Sequence, residues 1–244
     1  MTDRRLSAAR NALSTSRRIA VFSGAGLSAE SGIATFRGND GDALWSRFNP
    51  MELASAAGFE ENPARVIDWY NWRRSKLANA QPNAAHVALA KRPRLVQITQ
   101  NVDDLLERAG VAASAVLHLH GTIGKDRCNG SCGHEETVDL ASAPPLRPCP
   151  RCGAYLRPAV VWFGEGLRQD VWNEAQRLCS QLDCLLVVGT SATVYPAAGL
   201  IEQAEAAGSK IISINTEPSA SFGAEHLELV GPASVLLPQL LEGL

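Results

Sequence analysis

The sequence predicts an α/β fold, a doubly wound parallel sheet with a small inserted module. Three observations support this. Short apolar runs recur with helix-length segments between them, a glycine-rich turn follows the first run, and a cysteine-rich stretch interrupts the alternation. A length of 244 residues suits one large domain, or a core with a small satellite. The composition, 45% hydrophobic and 20% charged, is that of an ordinary globular protein. A formal net charge of -2 gives no basic excess for nucleic acid. No apolar run approaches the roughly 18–20 residues a membrane helix needs. The polar segment MTDRRLSAARNALSTSRR has no apolar stretch typical of a secretory signal and reads as an amphipathic lead-in helix. A cytoplasmic location is therefore the default expectation, with neither nucleic acid nor a membrane as partner.

The runs IAVFS (19–23), LVQIT (95–99), VLHLH (116–120), CLLVVG (184–189) and KIISIN (210–215) predict buried parallel strands. Segments 63–79, 83–91, 102–109, 168–181 and 197–207 predict the helices between them. The stretch 124–157 holds four cysteines, several Gly and Pro and no long apolar run, so it is expected to be an inserted module. Residues 1–123 and 158–244 then form the Rossmann-like unit, with part of 40–90 as a helical cap on its cleft.

The first strand runs into Ser23-Gly24-Ala25-Gly26-Leu27-Ser28-Ala29. Gly24, Gly26 and Ala29 fit the G-x-G-x-x-G/A pattern, in which a backbone turn approaches a pyrophosphate at a helix N-terminus. The acidic residue expected after a second strand, about 20 positions on, is missing. Asn215 and Glu217 follow KIISI near the far end instead, where they could bind a ribose hydroxyl. An ordinary dehydrogenase fits this arrangement poorly.

Cys149-Pro-Arg-Cys152 is a C-x-x-C knuckle, and Cys128-Asn-Gly-Ser-Cys132 has one residue more. Sixteen residues separate the pairs, within the range of a four-thiolate zinc site. Four Cys ligands leave no open position, so such a zinc is structural. His134 is the alternative ligand if Cys132 is displaced. A DNA-binding zinc ribbon is the rival reading, but the segment is not notably basic. Cys179 and Cys184 lie in apolar sequence and read as buried free thiols.

The first block continues as GAGLSAESGIATFRG (24–38). Thr99-Gln100-Asn101-Val102-Asp103, His120-Gly121, the cysteine module, Gly189-Thr190-Ser191 and Asn215-Thr216-Glu217 follow in order. In these blocks, over roughly residues 17–240, the chain resembles the sirtuin family. The resemblance implies an enzyme that consumes NAD while removing acyl groups from protein lysines, releasing nicotinamide and 2′-O-acyl-ADP-ribose. It assigns NAD to Gly24, Ala25, Gly26, Ser28, Glu30, Thr35, Phe36, Arg37, Gln100, Asn101, Asp103, Gly189, Thr190, Ser191, Asn215, Thr216, Glu217 and Ala233. Breaking the nicotinamide–ribose bond develops positive charge on the ribose. An amide and a carboxylate, Asn101 and Asp103, suit gripping the carboxamide and ribose there. Phe36 is implied to cover the reactive carbon, and His120 to act as general base on a ribose hydroxyl. His118, two residues earlier, reads as structural.

Tyr70 and Arg73 lie three apart and share a helix face, where a phenol and a guanidinium can grip a carboxylate. Sirtuins that remove succinyl, malonyl or glutaryl groups carry such a Tyr-x-x-Arg pair. QPNAAHVALA (81–90) is similar to that branch, and Thr35 replaces the Asp common in deacetylases. Val160, Val161, Trp162 and Phe163 match the substrate-groove segment, expected to line an apolar tunnel along which peptide adds as a strand. Ala34 and Ala159 depart from the branch, which commonly has Pro and often His there. The resemblance thus implies desuccinylase or demalonylase activity, with deacetylation also possible. ADP-ribosyl transfer is the enzymatic alternative, and a non-catalytic NAD sensor or zinc scaffold is the third reading.

Overall fold

The structure is a computed structural model that describes residues 2–35, 44–218, 223 and 226–243. The chain opens with α1 (Thr2–Ser14), β1 (Ile19–Ser23) and α2 (Gly26–Ala29). The helices α3 (Leu44–Arg47), α4 (Pro50–Leu53), α5 (Ala56–Glu61), α6 (Pro63–Asn79) and α7 (Ala84–Ala90) follow, with no strand between them among the described residues. Then come β2 (Val96–Thr99), α8 (Leu105–Arg108), β3 (Val116–His118), β4 (Gly121–Cys128), β5 (Glu135–Thr137) and β6 (Leu156–Val160). The chain returns through α9 (Gln169–Cys179), β7 (Cys184–Val188), α10 (Gly199–Ala206), β8 (Lys210–Asn215), β9 (Leu227–Val230) and α11 (Ala233–Leu241).

Among the described residues, six strands form a parallel sheet in the order β3-β2-β1-β7-β8-β9. The period-2 alternation of strand side chains divides its core in two. Val21, Leu186, Val188, Ile212 and Ile214 meet α1, α7 and α11 through Leu13, Leu89 and Leu237. Ala20, Phe22, Leu185, Val187 and Ile211 meet α9 and α10 through Ala175, Cys179, Leu200 and Ala204. A parallel sheet covered on both faces is the doubly wound arrangement expected. A second, antiparallel sheet, β5-β4-β6, carries the cysteines at the end of β4 and beyond. A third core joins the helices α4–α6 to this sheet: Phe59, Val66, Ile67, Trp69 and Tyr70 meet Ile123, Val160 and Trp162.

The helix expected over 63–79 has those bounds. Asn62 caps it, accepting from Arg65 N at 3.0 Å, and Pro63 stands at its first position, where a missing N–H costs nothing. The helix expected over 102–109 is shorter, Leu105–Arg108. Asp103 takes the Leu105 N–H on its own carboxylate, so the preceding residues form a loop. The strand expected over 116–120 ends at His118. Gly121 has φ +74, and a Cβ there would lie 2.0 Å from the Ala159 carbonyl oxygen, so the chain turns sharply just after His120. Neither β9 nor α11 was expected. The LELV strand is only partly buried, and Pro238 inside α11 reads as a helix breaker.

Candidate active site and cysteine module

The strand order reverses at β1 and β7, and ligands of such sheets bind in the crevice beyond the strands' carboxyl ends at this switch point. A cleft of about 750 Å³ lies there. After β1, Gly24 N donates to the Val188 carbonyl at 3.0 Å and Gly26 N to the Gly189 carbonyl at 2.8 Å. A Cβ on Gly26 would meet Gly189 Cα at 2.7 Å, and Gly189 itself has φ +61. Two turns this close admit only glycine, and they bare backbone to the cleft.

Most of the residues assigned to NAD surround this cleft: Gly24, Ala25, Gly26, Glu30, Thr35, Gln100, Asn101, Gly189, Thr190, Ser191, Asn215, Thr216, Glu217 and Ala233. Gln100 Nε2 donates to Thr190 Oγ1 at 3.0 Å and Asn215 Nδ2 to the Thr190 carbonyl at 3.3 Å, tying three strand ends together. Glu30 caps the start of α11, accepting from Ser234 N at 3.0 Å and Ser234 Oγ at 2.7 Å. Ser28 and Asp103 are buried behind this cleft. Asn101 Nδ2 donates to Ser28 Oγ at 3.2 Å, and Ser28 Oγ donates to Asp103 Oδ2 at 3.0 Å. Burial raises the Asp103 pKa, while the Leu105 and Ser28 hydrogen bonds pull it down. Asp103 borders a second cavity of about 220 Å³, and Ala25, Arg73, Asn101 and Val102 border both spaces. Phe36 and Arg37 lie outside the described residues.

The two histidines are told apart by their partners. His120 borders the cleft, and its Nδ1 faces the Gln100 carbonyl at 3.2 Å. A carbonyl only accepts, so Nδ1 holds the proton and Nε2 of the neutral ring is the basic atom. Burial lowers the His120 pKa, with the Gln100 bond opposing. His118 has Nδ1 on the Asn101 carbonyl at 2.9 Å and Nε2 on Glu107 Oε1 at 2.8 Å. Both nitrogens must donate there, which demands the charged ring. Burial works against that charge, but Glu107 and the carbonyl outweigh it, and the His118 pKa is raised. His118 therefore holds the Asn101 loop in place.

Tyr70, Arg73, Val160, Val161, Trp162 and Phe163 also line the cleft. Trp162 Nε1 donates to Tyr70 Oη at 3.0 Å. The Arg73 guanidinium stands 4.9 Å from the Trp69 ring centre and 5.5 Å from that of Tyr70. The main-chain N–H groups of 161–163 are already engaged: Val161 with the His120 carbonyl, Trp162 with Glu165 Oε2 and Phe163 with the Ala54 carbonyl. A peptide strand added here would have to use other backbone groups.

Several lining residues were not anticipated, among them Val194, Tyr195 and Gly231. Glu165 pairs with Arg157 and with Arg127 at 3.1 Å, and the Arg157 guanidinium stands 3.9 Å from the Trp162 ring centre. His86, buried, caps α7 with Asn83 and lies 3.5 Å from Ser28 Oγ; burial lowers its pKa to about 4. The Asn-x-x-His spacing was the sequence signal for that capping box.

Cys128, Cys132, Cys149 and Cys152 come together with their sulfurs within 4.8 Å of one another. The closest pairs are Cys128–Cys152 at 3.4 Å and Cys132–Cys149 at 3.6 Å. Zinc–sulfur bonds of ~2.3 Å in a tetrahedron imply ~3.8 Å between sulfurs, so the donor set fits a structural zinc. The extra residue in the first knuckle does not prevent this. Burial, together with the neighbouring thiols, pushes Cys128 up to about 12, the response of crowded thiols that a cation would reverse. His134 instead faces Glu136 Oε2 at 2.9 Å. Cys179 and Cys184 are fully buried in the main core.

Two expected outcomes follow from this geometry. NMR titration of the free protein should place the His120 midpoint below 6.5 and the His118 midpoint above it; the reverse order would overturn the assignment of roles. Metal analysis should find a single zinc per chain, lost in Cys152→Ser together with melting temperature. A variant melting like the parent would rule out a structural metal.

The Sir2 family pattern matches residues 24–196. The chain is 46% identical to NAD-dependent protein deacylase 2 of Pyrobaculum aerophilum, over 94% of this chain and 92% of that one. It is 46% identical to the NAD-dependent protein deacylase of Mycobacterium tuberculosis, over 93% of this chain and 98% of that one. A solved Sir2 homolog in complex with NAD superposes with a TM-score of 0.86 at 43% identity, covering 99% of this chain and 93% of its own. The match in sequence and fold establishes that this chain belongs to the Sir2 family.

Proposed function

We propose that this chain is an NAD-dependent protein-lysine deacylase that prefers acyl groups ending in a carboxylate, such as succinyl or malonyl. The activity rests on Sir2 membership and on relatives that are themselves named NAD-dependent protein deacylases. The acyl preference is carried by one observation: Tyr70 and Arg73 line the same cleft as His120 and the apolar run Val160–Phe163. Tyr70 Oη accepts from the Trp162 indole, so the phenol's own proton is left to donate to another acceptor. Burial raises the Tyr70 pKa, with Arg73 opposing, and keeps that proton in place. Burial lowers the Arg73 pKa, and Tyr70 and Asp103 counter it; a guanidinium remains a cation throughout. A neutral donor beside a fixed cation suits a carboxylate better than a methyl group.

When bound, NAD supplies a ribose carbon from which nicotinamide departs. The residues at the strand ends would hold it, with Asn101 and Asp103 at the carboxamide and ribose. His120 Nε2 would then take a proton from a ribose hydroxyl, its Nδ1–H anchored on the Gln100 carbonyl. The walls Val160 and Trp162 keep water from the acyl stem. An ADP-ribosyltransferase finds no support among these relatives, and NAD turnover that requires an acyl-lysine peptide would separate the two activities.

His120→Ala is expected to abolish deacylation while the melting temperature stays near that of the parent. Full activity would remove His120 from the proton transfer. In side-by-side assays, Arg73→Met should cut desuccinylation by roughly ten- to a hundredfold, the worth of a charge-assisted hydrogen bond, and deacetylation far less. Equal losses on both peptides would defeat the carboxylate preference.

A further inference from the structure

Arg74, next to Arg73 on α6, has no exposed side-chain surface, and its partner Asp126 on β4 is only 2% exposed. Each nitrogen of the guanidinium has a partner. Its Nε donates to the Ile123 carbonyl at 2.8 Å and Nη1 to Asn71 Oδ1 at 3.0 Å. Its Nη2 donates to Asp126 Oδ1 at 2.6 Å and the Lys125 carbonyl at 3.3 Å. The second Asp126 oxygen meets Arg147 Nη2 at 2.9 Å, and Arg147 goes on to Glu136 on β5. Asn71, also on α6, donates to the Pro144 carbonyl at 2.9 Å. One helix turn is thus fastened to the sheet and loop that also carry the four cysteines.

Successive helix residues point about 100° apart, so Tyr70, Arg73 and Arg74 form one patch whose direction is set by the helix's rotation. Apolar contacts alone tolerate small rotations, because Trp69, Ile67 and Val66 are all buried among similar neighbours. A guanidinium held by four fixed acceptors does not. Buried ion pairs add little net stability, but breaking one is costly, and their best-attested use is to fix register. Here the register fixed is that of the helix bearing the two acyl-facing side chains.

We propose that Arg74, Asp126 and Arg147 are positioning residues: they lock the rotation of α6 onto β4, so that acyl recognition depends on the strand leading into the cysteine cluster. The identity of the acyl group rests on the carboxylate preference proposed above; the locking of α6 does not.

The test uses the zinc-loaded protein and two variants, Asp126→Asn and the milder Arg147→Met, whose side chain is part exposed and outside the cleft. Amide hydrogen exchange over 63–79 should quicken by roughly tenfold in Arg147→Met, with β1 and α9 unchanged. The KM for succinyl-lysine peptide should rise by a similar factor, while kcat and the KM for NAD stay within about twofold. In the Arg73→Met background, Arg147→Met should add no further loss on that peptide, the signature of coupled residues. Unchanged exchange in α6, fully additive losses, or equal damage to kcat and NAD binding would overturn the proposal. Should Asp126→Asn fail to fold, Arg147→Met decides alone. Arg73→Met acting equally on both acyl peptides would sink the carboxylate preference and leave the exchange result standing as the measure of α6 locking.

Discussion

The contact between the turns after β1 and β7 governs everything built above the sheet. Gly26 N–H on the Gly189 carbonyl holds two strand ends so close that no side chain fits between them. Were either glycine replaced, the turns would have to separate, and Thr190 would move away from Gln100 and Asn215. The ends of β2 and β8 would lose their common bonding partner at once. The cleft therefore depends on an absence of side chains at its floor, and the specific chemistry is arranged around that floor.

That chemistry is supplied by strands on one half of the sheet and by helices inserted between β1 and β2. The Asn101 loop is held from below by Ser28 and from the side by the charged His118 ring. His118 and His120 lie two residues apart in one strand extension and bear opposite burdens. A carboxylate raises the pKa of one, and burial beside a lone carbonyl lowers that of the other. Division of labour between neighbouring titratable groups by environment is a general route to acid–base function at neutral pH.

Much of this was legible in the sequence. The five strands beginning at Ile19, Val96, Val116, Cys184 and Lys210 show as short, largely apolar runs, because both faces of a parallel sheet are covered. Helix α6 is delimited by Asn62 and Pro63, local signals that no tertiary contact overrides. The cysteine spacing pointed to four sulfurs in one place, and they are there. What was not legible depends on distant partners. Pro238 hid the last helix, since a breaker is tolerated where the helix is held by core contacts from Leu236, Leu237 and Leu240. Nothing local to Arg74 marks it for burial; its partner Asp126 lies 52 positions on. The engaged N–H groups of Val161, Trp162 and Phe163 likewise depend on His120, Glu165 and Ala54, remote or unremarkable in the linear chain.

The wall between the two cavities carries a consequence for redesign. Ala25, Arg73, Asn101 and Val102 each present one surface to the large space and another to the small one. Shrinking a side chain in this wall merges the compartments, and enlarging it narrows both. The large cleft and the room beside Asp103 are therefore not independent dials. A variant enlarged at position 73 has an altered chamber on the far side, and compensating changes belong at Ile33, Leu44 or Ile123, which face the small cavity and do not border the cleft.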